Sequence, residues 1–137
     1  MAPMKFAKEI ASKGSIDVYN YGEHRRDFTY IDDIVEGIVR SLDRVDCSRV
    51  EAAVSGEIYE VINIGAQTPV HLLSFIELME KAFDSTVNKN LLPIQPGDVP
   101  DTYADVSRLT ELTGYQPQMS IEEGVQKFAQ WYKAYYS

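Results

Sequence analysis

Tyr19-Asn20-Tyr21-Gly22-Glu23-His24-Arg25-Arg26-Asp27-Phe28-Thr29-Tyr30-Ile31-Asp32-Asp33-Ile34-Val35-Glu36-Gly37 reads as a loop, an extended run and the start of a helix in immediate succession. Asn20-Tyr21-Gly22-Glu23 has turn composition. Residues 26–30 alternate, with Phe28 and Tyr30 on one face and Asp27 and Thr29 on the other. Asp33 and Glu36 have capping-box spacing, with Asp in place of Ser or Thr. Ile34, Val35, Ile38, Val39 and Leu42 then fall on one helical face. The stretch also holds the one dense knot of basic residues, His24-Arg25-Arg26, in a chain of net charge −8. Arg26 opens a strand behind a glycine loop, so its base is rigidly held and it faces an anionic ligand. A second reading stays open: Arg25 and Arg26 are solvated, or pair with Glu23 or Asp27.

Outward from this stretch the chain alternates helices with short strands. Residues 1–13 predict a helix, with Pro3 in its first turn, a stripe of Phe6, Ala7, Ile10 and Ala11, and Gly14 as a left-handed cap. Residues 16–21 are β-like. Residues 43–56 carry alternating charge and small residues and predict a surface loop. Ile58-Tyr59-Glu60-Val61-Ile62-Asn63-Ile64 is the strongest strand pattern, apolar on both faces as in a strand covered on both sides. Gly65 ends it. Thr68-Pro69 then predicts an N-cap and first-turn proline for a helix using Leu72, Leu73, Ile76, Met79 and Phe83. Residues 90–95 predict a short strand, and Pro96-Gly97-Asp98 a turn. A brief helix begins at Asp105 or Ser107 and stops at Gly114. Ser120 and Glu123 form a capping box for a last helix, with Ile121, Val125, Phe128, Tyr132 and Tyr135 on one stripe. The expectation is an α/β chain of few short strands and about five helices, folded as one domain over residues 1–137.

At 137 residues the chain is long enough to bury about two thirds of its unfolded surface. Its acidic balance argues against nucleic acid or an anionic membrane as main partner, since both want a broad basic face. A small anion in one local basic pocket stays possible. The single cysteine, Cys47, allows no internal disulfide and has no obvious base beside it; it is read as a bystander. No apolar run approaches the ~20 residues that span a bilayer, and the N-terminus lacks the apolar core of a signal peptide. A cytoplasmic protein is therefore expected.

Few motifs carry chemistry. An arginine fork donates two parallel hydrogen bonds to phosphate oxygens, which suits Arg26 to a diphosphate. A short carboxylate on Gln95-Pro96-Gly97-Asp98 can accept from vicinal sugar hydroxyls, or can simply stabilise the turn. Asp32 and Asp33 are better explained by capping than as a carboxylate dyad. His24 and His71 have no metal-ligand spacing around them, so no metal site is expected. No two glycines make a G-x-G-x-x-G phosphate cradle, no tyrosine has a lysine four residues on, and no catalytic residue is assigned. The residues look like part of a site.

Asp17-Val18-Tyr19-Asn20-Tyr21-Gly22 and Arg26-Asp27-Phe28-Thr29-Tyr30-Ile31-Asp32-Asp33-Ile34-Val35-Glu36-Gly37-Ile38 resemble the C-terminal half of NAD-dependent nucleotide-sugar epimerases. The match is strongest to the UDP-glucuronate 4-epimerases of the extended short-chain dehydrogenase/reductase superfamily. Tyr-Glu-Val-Ile-Asn-Ile-Gly at 59–65, Thr68-Pro69-Val70, Gln95-Pro96-Gly97-Asp98-Val99 and Glu122-Glu123-Gly124-Val125 match in the same order; the 43–56 loop does not. The resemblance implies a two-part enzyme. An N-terminal Rossmann domain binds NAD and carries a Tyr-x-x-x-Lys pair, and a small C-terminal α/β domain grips a UDP-sugar. This chain would be the second part, binding no cofactor itself and inactive alone. Carried over by position, Arg26 is the diphosphate-binding arginine, Asp98 the carboxylate on the uridine ribose, and Val18 and Tyr19 the strand edge beside the uracil. Gln95 stands where related epimerases have a second arginine, a departure from a two-arginine clamp. Two other readings remain: a structural or oligomerising fragment that self-associates through surface left bare by the absent half, and the same part of a sugar-nucleotide 4,6-dehydratase.

Overall fold

The computed structural model describes residues 2–44 and 60–136. Cys47, Ile58, Tyr59 and most of the expected 43–56 loop lie outside the described residues. Among the described residues, five α-helices and four short strands follow in the order α1 (Ala2–Ala11), β1 (Ser15–Val18), β2 (Arg25–Arg26), α2 (Ile31–Leu42), β3 (Val70–His71), α3 (Leu72–Phe83), β4 (Asn88–Leu91), α4 (Ser107–Thr113) and α5 (Ile121–Tyr136). The expected α/β class with few strands and about five helices holds.

The core is built around α3. Phe75, Ile76, Met79, Ala82 and Phe83 bury against Phe6, Ala7 and Ile10 of α1, Ile16 and Val18 of β1, and Val125, Ala129 and Tyr132 of α5. Each large side chain so buried contributes about 1.5–3 kcal/mol relative to exposure. β1 pairs in parallel with β4, from Ser15 opposite Asn88 to Val18 opposite Leu91. β2 pairs antiparallel with β3, Arg25 opposite His71 and Arg26 opposite Val70. On its other side β2 meets residues 100–102: the Arg25 amide donates to the Pro100 carbonyl at 2.9 Å, and the Thr102 amide to the Arg25 carbonyl at 3.1 Å.

Several boundaries differ from the sequence expectation. β1 ends at Val18, because Asn20 and Tyr21 take left-handed φ of 51° and 52° inside a 3₁₀ turn and cannot continue a strand. The run at 26–30 is a strand only at Arg25–Arg26. Its alternation still holds: Phe28 stacks on Phe75 with ring centroids 4.0 Å apart, while Asp27 and Thr29 accept backbone N–H groups from the other side. Lys13, not Gly14, has the left-handed φ after α1. β4 falls at 88–91 rather than 90–95.

Two cap assignments are corrected. Thr68 does not cap α3; His71 stands at the cap position, with no side-chain bond to the helix, because residues 70–71 are first used as a strand against β2. Asp33 does not cap α2, whose cap residue is Tyr30. One turn inside the helix, the buried Asp33 carboxylate accepts from the Tyr115 hydroxyl at 2.6 Å and from the Gln118 and Met119 amides at 3.2 and 2.9 Å. It ties α2 to the loop before α5. The Ser120 cap holds, its hydroxyl accepting the Glu123 amide at 3.2 Å. Tyr135 is exposed, not on the buried stripe of α5.

Residues 60–64 form no strand. A strand exists only by pairing, and no described residue offers them a ladder. Ile64 packs on Gly37 of α2, while Val61 stays exposed. On α2, Ile31, Val35, Ile38, Val39 and Leu42 are all about half exposed or more. No helix among the described residues is long and apolar enough to cross a membrane.

Candidate functional site

The segment after β4 doubles back as Gln95-Pro96-Gly97-Asp98. The Asp98 amide donates to the Gln95 carbonyl at 3.1 Å and Gly97 has φ +83°. Proline at the second and a left-handed glycine at the third position define a type II turn. The chain then runs through Val99 and Pro100 to the edge of β2. Arg26 and Asp98, 72 residues apart in sequence, are thereby brought side by side.

Arg26 Nη2 donates to Asp98 Oδ1 at 3.0 Å, and Nη1 donates to the Pro100 carbonyl at 2.7 Å and the Arg25 carbonyl at 3.1 Å. Asp98 Oδ1 also accepts from the Val99 amide at 3.0 Å. The other oxygen, Oδ2, lies 3.4 Å from Nε2 of His24. His24 is 3% exposed, and Nε2 is out of line for a hydrogen bond and has no hydrogen-bond partner. The Arg26–Asp98 pair is partly exposed, at 23% and 34%. Such pairs contribute about 0–1 kcal/mol.

Of the other expected site residues, Val18 is fully buried and its carbonyl accepts the Leu92 amide at 2.9 Å. Tyr19 is half-buried and opens the 3₁₀ turn, where the Tyr21 amide donates to the Leu92 carbonyl at 2.9 Å. These bonds fasten the end of β1 to the segment leading to Gln95. Gln95 is exposed at the base of the Asp98 turn.

Sequence reasoning missed two residues. Asp27 is a staple: Oδ2 accepts from the amides of Gln67 and Ala104 at 3.1 and 3.0 Å, Oδ1 from that of Thr68 at 3.3 Å. His24 has no metal-ligand spacing around it, and its polar neighbours in sequence give no sign of its burial. Among the described residues no group of three or more His, Cys, Asp or Glu is placed to hold a metal.

A profile of the GDP-mannose 4,6 dehydratase family matches residues 4–128. The chain belongs to this family. Within the wider group of NAD-dependent epimerases and dehydratases it resembles the UDP-glucuronate 4-epimerases. It is 42% identical to a probable UDP-glucuronate 4-epimerase of Rhizobium meliloti, over 99% of this chain and 42% of that protein. A crystal structure of the UDP-glucuronic acid 4-epimerase of Bacillus cereus, in complex with UDP-glucuronic acid and NAD, superposes with a TM-score of 0.83 at 31% identity. The match covers 99% of this chain and 40% of that one. A dTDP-glucose 4,6-dehydratase from Bacillus anthracis has the same fold over 98% of this chain and 39% of its own, at a TM-score of 0.77 and 17% identity. The chain spans about two fifths of the length of the curated relatives it matches. NAD accompanies the Bacillus cereus protein; no G-x-G-x-x-G run occurs in residues 1–137.

Proposed function

We propose that this chain carries the nucleotide-anchoring part of a UDP-sugar 4-epimerase of the UDP-glucuronate/UDP-galacturonate type. The observation that supports this is the Arg26–Asp98 pair on the edge of β2 and the type II turn. It puts a guanidinium fork and a short carboxylate side by side, the donor and acceptor that a diphosphate and a ribose diol require. In this reading Arg26 turns to the diphosphate and Asp98 accepts from the ribose hydroxyls. Val18 and Tyr19 border the uracil, and Gln95 stands beside the phosphates as a neutral residue. Holding the nucleotide lets the sugar turn without escaping. Hydride transfer belongs to an NAD-binding Rossmann domain, which stands N-terminal to this part in the family arrangement; residues 1–137 alone are expected to be inactive.

Calorimetric titration with UDP, at low and moderate salt, tests this beside Arg26→Ala. The native chain binds, more weakly as salt rises, and the variant loses about 30-fold or more in affinity. A folded native chain that takes up no UDP refutes the reading. One observation favours a second reading, a structural fragment that self-associates: the exposed apolar stripe of α2, whose first residue, Ile31, also lines an apolar hollow of about 300 Å³ with Met4, Phe28, Ile34, Phe75 and Phe128. Association without UDP binding is its signature. The family description itself keeps a 4,6-dehydratase in view, and preference for a GDP- or dTDP-nucleotide over UDP in the same titration identifies that case.

A further inference from the structure

His24 lies outside everything assigned so far. Its ring is buried at 3% exposure, and Nε2 finds no hydrogen-bond partner. Leaving a polar nitrogen unsatisfied in the interior costs about 1–3 kcal/mol, so the position asks for a reason. The nearest acceptor is Asp98 Oδ2 at 3.4 Å. It is the one carboxylate oxygen that neither Arg26 nor the Val99 amide engages, since both bond to Oδ1. The backbone fixes the imidazole from behind, with the His24 carbonyl accepting the Leu72 amide at 2.9 Å at the start of α3. At that distance Nε2 is within reach of Oδ2 and only the alignment is wanting.

These facts bear on what happens when Arg26 leaves its carboxylate. The pair is partly exposed and weak, and a diphosphate engages the same guanidinium nitrogens. Asp98 then keeps the Val99 amide and, on its other oxygen, His24. We propose that His24 is the positioning residue for Asp98: its Nε2–H holds Oδ2 while Arg26 turns to the diphosphate, leaving Oδ1 to accept from the ribose hydroxyls. The role rests on the nucleotide reading above.

The test is calorimetric titration of the native chain, His24→Gln, His24→Leu and Arg26→Ala with UDP and with inorganic pyrophosphate. Pyrophosphate meets Arg26 but has no ribose for Asp98. His24→Leu is expected to weaken UDP about tenfold and to leave pyrophosphate within about twofold. His24→Gln keeps a donor and so keeps most of the UDP affinity. A leucine variant that binds UDP like the native chain overturns the proposal, as does one that loses pyrophosphate as much as UDP; His24 would then be core filling only. If the leucine variant does not fold, NMR of the native chain decides: UDP must shift the ring resonances of His24, and unmoved resonances overturn the proposal. Failure of the native chain to bind either ligand removes both readings. Loss of UDP binding in Arg26→Ala with an unaffected leucine variant removes only the role of His24.

Discussion

Replacing Asp27 by alanine removes the acceptor of three backbone N–H groups at once. Two of them, on Gln67 and Ala104, are part-buried, while the third, on Thr68, is exposed and regains water. An orphaned part-buried amide costs about 1–1.5 kcal/mol and the exposed one little, so the loss comes to about 2.5 kcal/mol. With the slope usual for a chain of this size, the urea midpoint falls by roughly 1.5 M. The conservative change separates geometry from charge. In Asp27→Asn the amide oxygen can still take the Gln67 and Ala104 donors, but its NH₂ faces the Thr68 N–H and cannot accept. The variant should lose only about 0.5–1 kcal/mol. Function is coupled to the same staple. The Thr102 hydroxyl accepts the Asp27 amide at 3.1 Å, so the segment that gives Arg26 its Pro100 carbonyl is held from this residue on both sides. UDP affinity should fall by about tenfold in Asp27→Ala. Paired urea denaturation and UDP titration measure both effects. A midpoint within about 0.3 M of native refutes the staple.

Two further changes probe the frame. Gly22 has φ +88°, and a Cβ there would lie 2.5 Å from Leu73; Gly22→Ala should cost about 2–3 kcal/mol in urea denaturation, and a neutral result means the loop can relax. Tyr115 donates to Asp33, and burial first, then that bond, pushes its ionisation up. The neutral phenol is thus favoured by the fold, and its contribution is full below the unfolded tyrosine value of about 10 and lost as pH rises through the folded one. Tyr115→Phe should be less stable by about 1 kcal/mol at pH 8, and its urea midpoint should converge on the native one above pH 10; a gap constant from pH 8 to 11 defeats this.

What the sequence made legible follows from how local each signal is. The helical stripes of α1 and α3, the Pro96-Gly97 turn, the Ser120 cap and the left-handed stop at Gly114 were all readable within a few residues, because each is fixed by contacts along one short segment. The misread positions are those where a distant segment outcompetes the local choice. Asp33 has the spacing of a cap, but the 115–119 loop offers it a hydroxyl and two amides. Thr68 has the composition of a cap, but residues 70–71 are taken by β2 before α3 can begin. The pattern at 58–64 asks for cover on both faces. Among the described residues Ile64 finds it against Gly37, while Val61 does not.

The site shows the same division. Arg26 stands out in the sequence because it lies in a basic knot beside a glycine loop, and Asp98 because it closes a proline-glycine turn. Their proximity was not legible from spacing, since 72 residues separate them and the order β3, α3, β4 intervenes. It arises because a strand pairs its backbone with other segments on both sides. Arg25 takes one neighbour from 70–71 and the other from 100–102, and the second carries Asp98 in with it. The two charged side chains stay partly exposed, where their mutual attraction is weak. A buried pair would grip more firmly and would be costly to open. An edge pair backed by a buried histidine can exchange its partner for a ligand and still keep its carboxylate in place.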